Sequence, residues 1–526
     1  MKKHIFLLLS SLTFAVAQSQ DIPDAMRYAQ DNLSGTARFK AMGGAFGALG
    51  GDLSSLNVNP AGSAVFSNNQ ITLTLSNFNT KNNSNYFGTK TATNNNSFDL
   101  NQSGGVFVFK NQNPYSNWKK ISIAINYENA NNFDNSIFSA GVNPTHSVDQ
   151  YFLHYANFGN GGAPVPQEFV NTITGESISD LYSFLGNNLP NLQNPNLSGF
   201  AAQQAMMGYQ GFIINAVDDT NDNSQFVSNV TPGGNYYQEN SITSNGYNGK
   251  LSFNLASSYK DKWYFGINLN SHFTDMHRST SFYEENNNSL SSNYTVRKLR
   301  FENDLYTYGT GFSFQLGAIA KVSNEVRLGL AYESPTWYRL TDEFSQNLVG
   351  VRKNTTGELP SDKVNPNTTN YYDPYKLQTP GKLTGSFAYV FGKTGLISID
   401  YAVKDYGNTK FQPVNDSYFR AKNNEMSNTL ASSSDIRIGG EYKIKALSLR
   451  GGYRFEQSPY KNSETIGDLN VYSGGLGYNF GAFKLDLAYA YSERNSHQAF
   501  FNQGFTDGAK INTKNNNVSM TLLFEM

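Results

Sequence analysis

Phe483-Lys484-Leu485-Asp486-Leu487-Ala488-Tyr489-Ala490-Tyr491 is the stretch that decides how this chain folds. Its odd positions are all large and apolar or aromatic, and its even positions are charged or small. Successive side chains of a strand point to opposite faces, so this segment is a strand with one greasy and one polar face. The same pattern runs outward in both directions. Leu447, Leu449, Gly451, Tyr453 and Phe455 alternate with Ser448, Arg450, Gly452, Arg454 and Glu456, and Ile436, Ile438, Gly440 and Tyr442 with Arg437, Gly439, Glu441 and Lys443. Ile71/Leu73/Leu75, Ile121/Ile123/Ile125/Tyr127, Val326/Leu328/Leu330/Tyr332 and Ile397/Ile399/Tyr401 repeat it. Fourteen such segments are marked off, the first four being 70–79, 103–110, 118–130 and 244–259.

Alternation alone fits a two-sheet sandwich as well as a barrel. Three features favour the barrel. Tyrosines and phenylalanines gather at the ends of the apolar stripes, as in the aromatic girdles of membrane barrels. The strand number is even, and connections such as Lys260-Asp261, Gly392-Lys393-Thr394, Lys445 and Gly481-Ala482 are short enough to enforce antiparallel neighbours. The chain also ends on an alternating strand, Val518, Met520, Leu522, Phe524 and Met526, similar to the terminal signal by which outer-membrane barrels are handed to their insertion machinery. The expected fold is all-β, a 14-stranded antiparallel transmembrane barrel over residues 67–526, monomeric and bathed in outer-membrane lipid.

Composition agrees. Only 15% of residues are charged, 14% are aromatic, 46 are glycine and none is cysteine. A net charge of −1 argues against a nucleic-acid partner, and the lack of cysteine excludes disulfides and thiolate chemistry. Lys2-Lys3, the apolar run from Ile5 to Phe14 and Ala15-Val16-Ala17 read as a cleaved export signal over residues 1–17. The expected address is the outer membrane of a Gram-negative bacterium.

Residues 18–66 do not alternate. Phe39, Met42, Phe46, Leu49, Leu53, Leu56 and Val58 nevertheless need burial, and a compact plug threaded into a wide barrel supplies it. The glycines do not fall as a dinucleotide fingerprint and no P-loop lysine follows them. Gly35 and Arg38, Met42-Gly43-Gly44-Ala45, Asp52 and Asn59-Pro60-Ala61-Gly62 resemble the N-terminal hatch of the FadL-type outer-membrane transporters, which carries an Asn-Pro-Ala motif. The resemblance implies a plugged 14-stranded barrel for long-chain fatty acids or other hydrophobic compounds. It also implies that ligand lands on external loops, enters a lumenal pocket and leaves sideways past a kinked third strand, 118–130 by position. Gly43, Gly44, Asn59, Pro60, Ala61 and Gly62 are the hatch-motif residues on this reading.

Residues 134–243 read as an external insertion with helical segments. Met206, Met207, Phe212, Ile213 and Ile214 within it are candidates for a greasy landing groove, since methionine adapts to varied apolar shapes. Arg437, Arg450 and Arg454 face inward and are candidates for a ligand carboxylate, or for pairing with Glu441, Glu456 and Asp486. No catalytic residues, metal or cofactor are expected. The histidines have no neighbouring nucleophile elbow, and Asp218–Asn223 lacks the glycine and glutamate of a calcium loop. The rival readings are a porin-like channel for polar solutes and a barrel partner in protein export or haem uptake. A haem receptor needs a larger plug than residues 18–66 provide.

Overall fold

The computed structural model describes residues 20–187, 197–290 and 293–526. The export signal expected at 1–17 lies outside them. The wall strands are β1 (Gln70–Tyr86), β2 (Thr89–Lys110), β3 (Trp118–Asn132, resuming at Asn135–Asn143), β4 (Tyr236–Tyr259), β5 (Trp263–Glu285) and β6 (Thr295–Lys321). β7 runs Val326–Glu333 and Trp337–Asn354, broken at Pro335, and β8 runs Tyr375–Gln378 and Lys382–Phe391. β9 (Gly395–Asp405), β10 (Ser432–Ile444), β11 (Leu447–Glu456), β12 (Ile466–Asn479), β13 (Phe483–Ala499) and β14 (Gly508–Glu525) complete the wall. Each pairs antiparallel with the next, and β1 pairs with β14 from Gln70↔Glu525 to Asn85↔Lys510, which closes the cylinder.

Burial settles barrel against sandwich. Leu487 and Tyr489 on β13 are 44% and 48% exposed, while Asp486 and Ala488 between them are each 5% exposed. Ile121, Ile123 and Ile125 are likewise exposed around buried Ser122 and Ala124. The apolar face therefore looks outward and the polar face inward, the arrangement of a barrel in lipid. No helix among the described residues is long and apolar enough to cross a membrane.

Two boundaries differ from the sequence reading. The stretch 80–102 is paired strand: β1 and β2 run on to a tight hairpin at Phe87-Gly88, both in the left-handed region. The expected insertion 134–243 is shorter, because Asn135–Asn143 and Tyr236–Ser244 form a continuous ladder. Both segments project past the apolar band, where water wets both faces, so no alternation marks them as strands. What remains, roughly 144–235, is a cap with helices Asp149–Phe158, Ile178–Asn187 and Gly199–Gln210.

Candidate transport lumen

The N-terminal segment enters the lumen from the cap end. Its first helix, Ile22–Ala29, is held by a capping box between Asp21 and Asp24 and buries Met26 and Tyr28 among Tyr338, Tyr375, Phe411 and Phe419. Below it the chain coils into short turns. Thr36 caps Ala37–Ala41, Asp52 caps Leu53–Asn57 and Asn59 caps Pro60–Val65. Asn59 also donates from Nδ2 to the Gly47 carbonyl at 2.7 Å and to Ala318 of β6 at 3.1 Å. The Asn-Pro-Ala-Gly motif thus caps its own turn and ties that turn to the wall, while Pro60 fits the first helical position, where no amide donor is required.

Gly43 and Gly44 have φ of 62° and 78°, a region that side chains rarely adopt. The fit also depends on wall glycines that alternation does not single out. At Gly439, Gly452, Gly266, Gly317 and Gly329 a Cβ would collide with Met42, Gly43, Pro60, Asn59 and Gly47 respectively. Their missing side chains are the socket into which the segment packs.

Charges anchor this packing. Arg38 donates from Nε to Glu441 Oε2 at 2.8 Å, and Arg450 donates to the same oxygen at 2.7 Å and to Asp486 at 2.6 Å. Arg454 reaches Asp435 at 3.1 Å and Glu456 at 2.6 Å, and Arg437 reaches Asp435 at 2.6 Å. Of the two options open to Arg437, Arg450 and Arg454, the structure takes carboxylate pairing within the wall. Asp31 lies between Lys382 at 2.9 Å and Lys404 at 3.1 Å. Burial works to raise its pKa, but the two ammonium groups overrule burial and hold the carboxyl well below the usual range. A depressed acid gives its full stabilisation above the unfolded pKa, about 4, and loses it only as pH falls through the lower folded value. The Asp31 anchor is therefore expected to persist from pH 7 down to about 4. Limited proteolysis of the N-terminal segment checks this: release at pH 5–6 in the wild type, matched by Lys382→Met at pH 7, would show that the anchor titrates too early.

The candidate landing residues are mostly closed off. Met206, Met207, Ile213 and Ile214 are fully buried in the core of the cap, packed with Phe152, Leu181, Leu348 and Phe301. Only Phe212 reaches solvent, and its ring lies 3.9 Å under the Arg352 guanidinium. Spacing on a helix cannot tell a binding stripe from a stripe that packs on the strand tips beneath it.

Two cavities lie in series. An upper one of about 660 Å³ sits between the cap and the N-terminal helix, and a lower one of about 320 Å³ lies beside Leu33 and Ser34. Gln30, Ile466, Ser496 and Thr513 border both. The lower cavity has an apolar side, with Leu33, Phe78, Leu469 and Val471, and ends at Asn101, Asn129, Ala130 and Asn132 on β2 and β3. There the wall changes. The β2–β3 ladder runs from Lys110↔Lys120 up to Gln102↔Glu128 and stops, although both strands continue. Register shifts at Thr74/Leu75 on β1 and at Asn129/Asn131 on β3 mark the level. Above it side chains bridge the strands: Asn129 and Asn132 donate to Asp99 Oδ2 at 2.7 and 3.1 Å, and Asn132 donates to Ser97 at 3.0 Å.

A closed barrel with an inward polar face, a packed N-terminal segment and an interrupted seam beside a cavity defines a plugged outer-membrane channel. The model of the outer-membrane transport protein family OMPP1/FadL/TodX matches residues 215–524, more than half of the chain, and the chain belongs to that family. The family is one of transport channels for hydrophobic compounds in the outer membrane of Gram-negative bacteria. Similar solved structures include a Pseudomonas aeruginosa FadL homologue (11% identity, TM-score 0.49), the Ralstonia pickettii toluene transporter TbuX (13%, 0.48) and the Pseudomonas putida toluene transporter TodX (14%, 0.48). Each alignment covers 94% of this chain and 99% of the other. Among curated proteins no sequence matches.

Proposed function

We propose that this channel takes up hydrophobic small molecules, long-chain fatty acids and small aromatic compounds among them, and releases them sideways into the membrane. Residues 18–66 act as the stopper, with the Gly43-Gly44 and Asn59–Gly62 motif as its fixed floor. Ligand enters the upper cavity beneath the cap, passes Gln30 into the lower one and leaves between β2 and β3. The observation that carries this reading is the end of the β2–β3 backbone ladder at Gln102↔Glu128, beside the lower cavity. Side-chain bridges part at far lower cost than a backbone ladder, because the freed groups lie beside other polar partners. Transport of this kind needs no covalent chemistry. Burial of about 12 methylenes at roughly 0.8 kcal/mol each suffices to hold an acyl chain along the way. The filled lumen disfavours the porin reading. The partners on this view are the ligand, the lipids around the outward apolar face and the machinery that inserts the terminal strand.

Cross-linking the seam tests the proposal, and a chain with no cysteine of its own is suited to it. Ser97→Cys with Asn132→Cys, joined by a short bis-thiol reagent, is expected to cut uptake of decanoate or toluene by about tenfold or more into cells or liposomes. Each single variant should transport normally. Unchanged uptake through the cross-linked barrel would rule out the sideways exit.

A further inference from the structure

The upper cavity is bordered by a cation that no carboxylate among the described residues contacts. Arg278 stands on the inward face of β5, between Met276 and Thr280, and borders this cavity. Among the described residues it makes no ion pair and no hydrogen bond. Every other inward arginine named above is on a carboxylate, and so is its neighbour across the cavity, Arg27, which holds Asp24 at 3.1 Å. The acids that border the cavity are engaged too: Asp24 by Arg27, and Asp21 by Lys422 at 3.0 Å and Asn502 at 2.8 Å. Asp24 acts on Arg278 only across a gap and Arg27 opposes it, so an entering anion meets a guanidinium whose donors are still free to bond.

Five aromatic rings stand among the polar and aliphatic side chains of the lining. Tyr151, Phe344, Tyr460, Phe500 and Phe501 border the same space. Tyr151 and Phe501 already lie 4.6 Å apart at a tilt of 43°. Rings gain beyond their area by edge-to-face and offset contacts, which a saturated chain does not offer. A neutral hydrocarbon would cover Arg278 without replacing its lost water, a cost that a carboxylate offsets with paired charge-assisted hydrogen bonds. At about 660 Å³ the cavity is of ordinary ligand size.

We infer that the upper cavity is a binding site for an aromatic carboxylate, with Arg278 holding the carboxylate and the rings of Tyr151, Phe500 and Phe501 holding the aryl body. This rests on the transport reading for its direction, since the cavity is the first space below the cap.

The test uses the full-length protein in detergent micelles with 2-naphthoate as probe, followed by calorimetry. Wild type is expected to bind it, Arg278→Gln to weaken binding about tenfold or more, and Arg278→Lys to stay within about threefold. Binding of uncharged 2-methylnaphthalene should be unmoved by Arg278→Gln. Phe501→Ala, which keeps the charge, should weaken naphthoate more than decanoate. Heat-modifiable migration on a gel checks that each variant still forms a barrel. The inference is overturned if naphthoate binding is indifferent to Arg278→Gln, or if decanoate binds more tightly than naphthoate with the same dependence on Arg278. Failure here with intact, seam-dependent uptake of toluene leaves the transport reading standing; loss of all uptake by wild type removes that reading instead.

Discussion

Deleting residues 18–62 is expected to leave a barrel that still inserts and still shifts on heating, but conducts ions at least about tenfold better than the full-length chain. The wall closes on itself through the β1–β14 ladder, which begins at Gln70 and needs nothing from the segment. The segment fills the lumen: Met42, Phe46, Leu53, Leu56, Ala61 and Ala64 are essentially inaccessible to solvent. A barrel of this strand number leaves an aqueous path once its filling is gone, because the exposed inner face is made of Ser, Thr, Asn and charged groups. Single-channel recording in a planar bilayer checks the result. An unchanged conductance would mean that the cap, not the N-terminal segment, seals the barrel.

Glu441→Leu is expected to destabilise the assembled protein by about 3–5 kcal/mol, the usual result of removing one partner from a buried ionic cluster. Glu441 is 4% exposed and receives both Arg38 from the N-terminal segment and Arg450 from the neighbouring strand. Arg450 keeps Asp486, whereas Arg38 keeps only the Gly51 carbonyl and the face of Phe46. The unpaired guanidinium, rather than the lost attraction, is the main cost. The double variant Arg38→Met/Glu441→Leu should therefore recover most of the loss. Denaturant unfolding with protease mapping of residues 20–66 measures both. A loss below about 1 kcal/mol for the single variant would show that this pairing is not what anchors the segment.

How far each element was legible depends on where it meets lipid. Along 118–130, 395–407 and 483–494 one face meets hydrocarbon and the other polar side chains, so the period of two is written into the residues and the strand count follows. The same strands become unreadable above the membrane, at 80–102 and 135–143, because the two faces have the same solvent. The greasy stripe of Met206, Met207, Ile213 and Ile214 was visible as apolar, but the tips of the wall strands cover it, and nothing local announces them. Arg437, Arg450 and Arg454 were visible as inward cations. Their carboxylates lie on the same strand or on strands one or two along, and the strand register decides which acid each arginine meets. Nothing in the alternation sets Arg278 apart, and only the fold shows that the acids bordering its cavity are held by other partners.

By itself the sequence determined the alternating wall, its even strand number, the outward apolar band and the motif-bearing segment that precedes them, because each is a local contest between water and oil at successive residues. Only the tertiary structure decided which wall glycines form the socket, where the β2–β3 ladder ends, and which charges are in contact with a partner. Those are outcomes of strand register and of the N-terminal segment packing into the lumen, which set Arg38 on Glu441 and Asp31 on Lys382 across hundreds of residues.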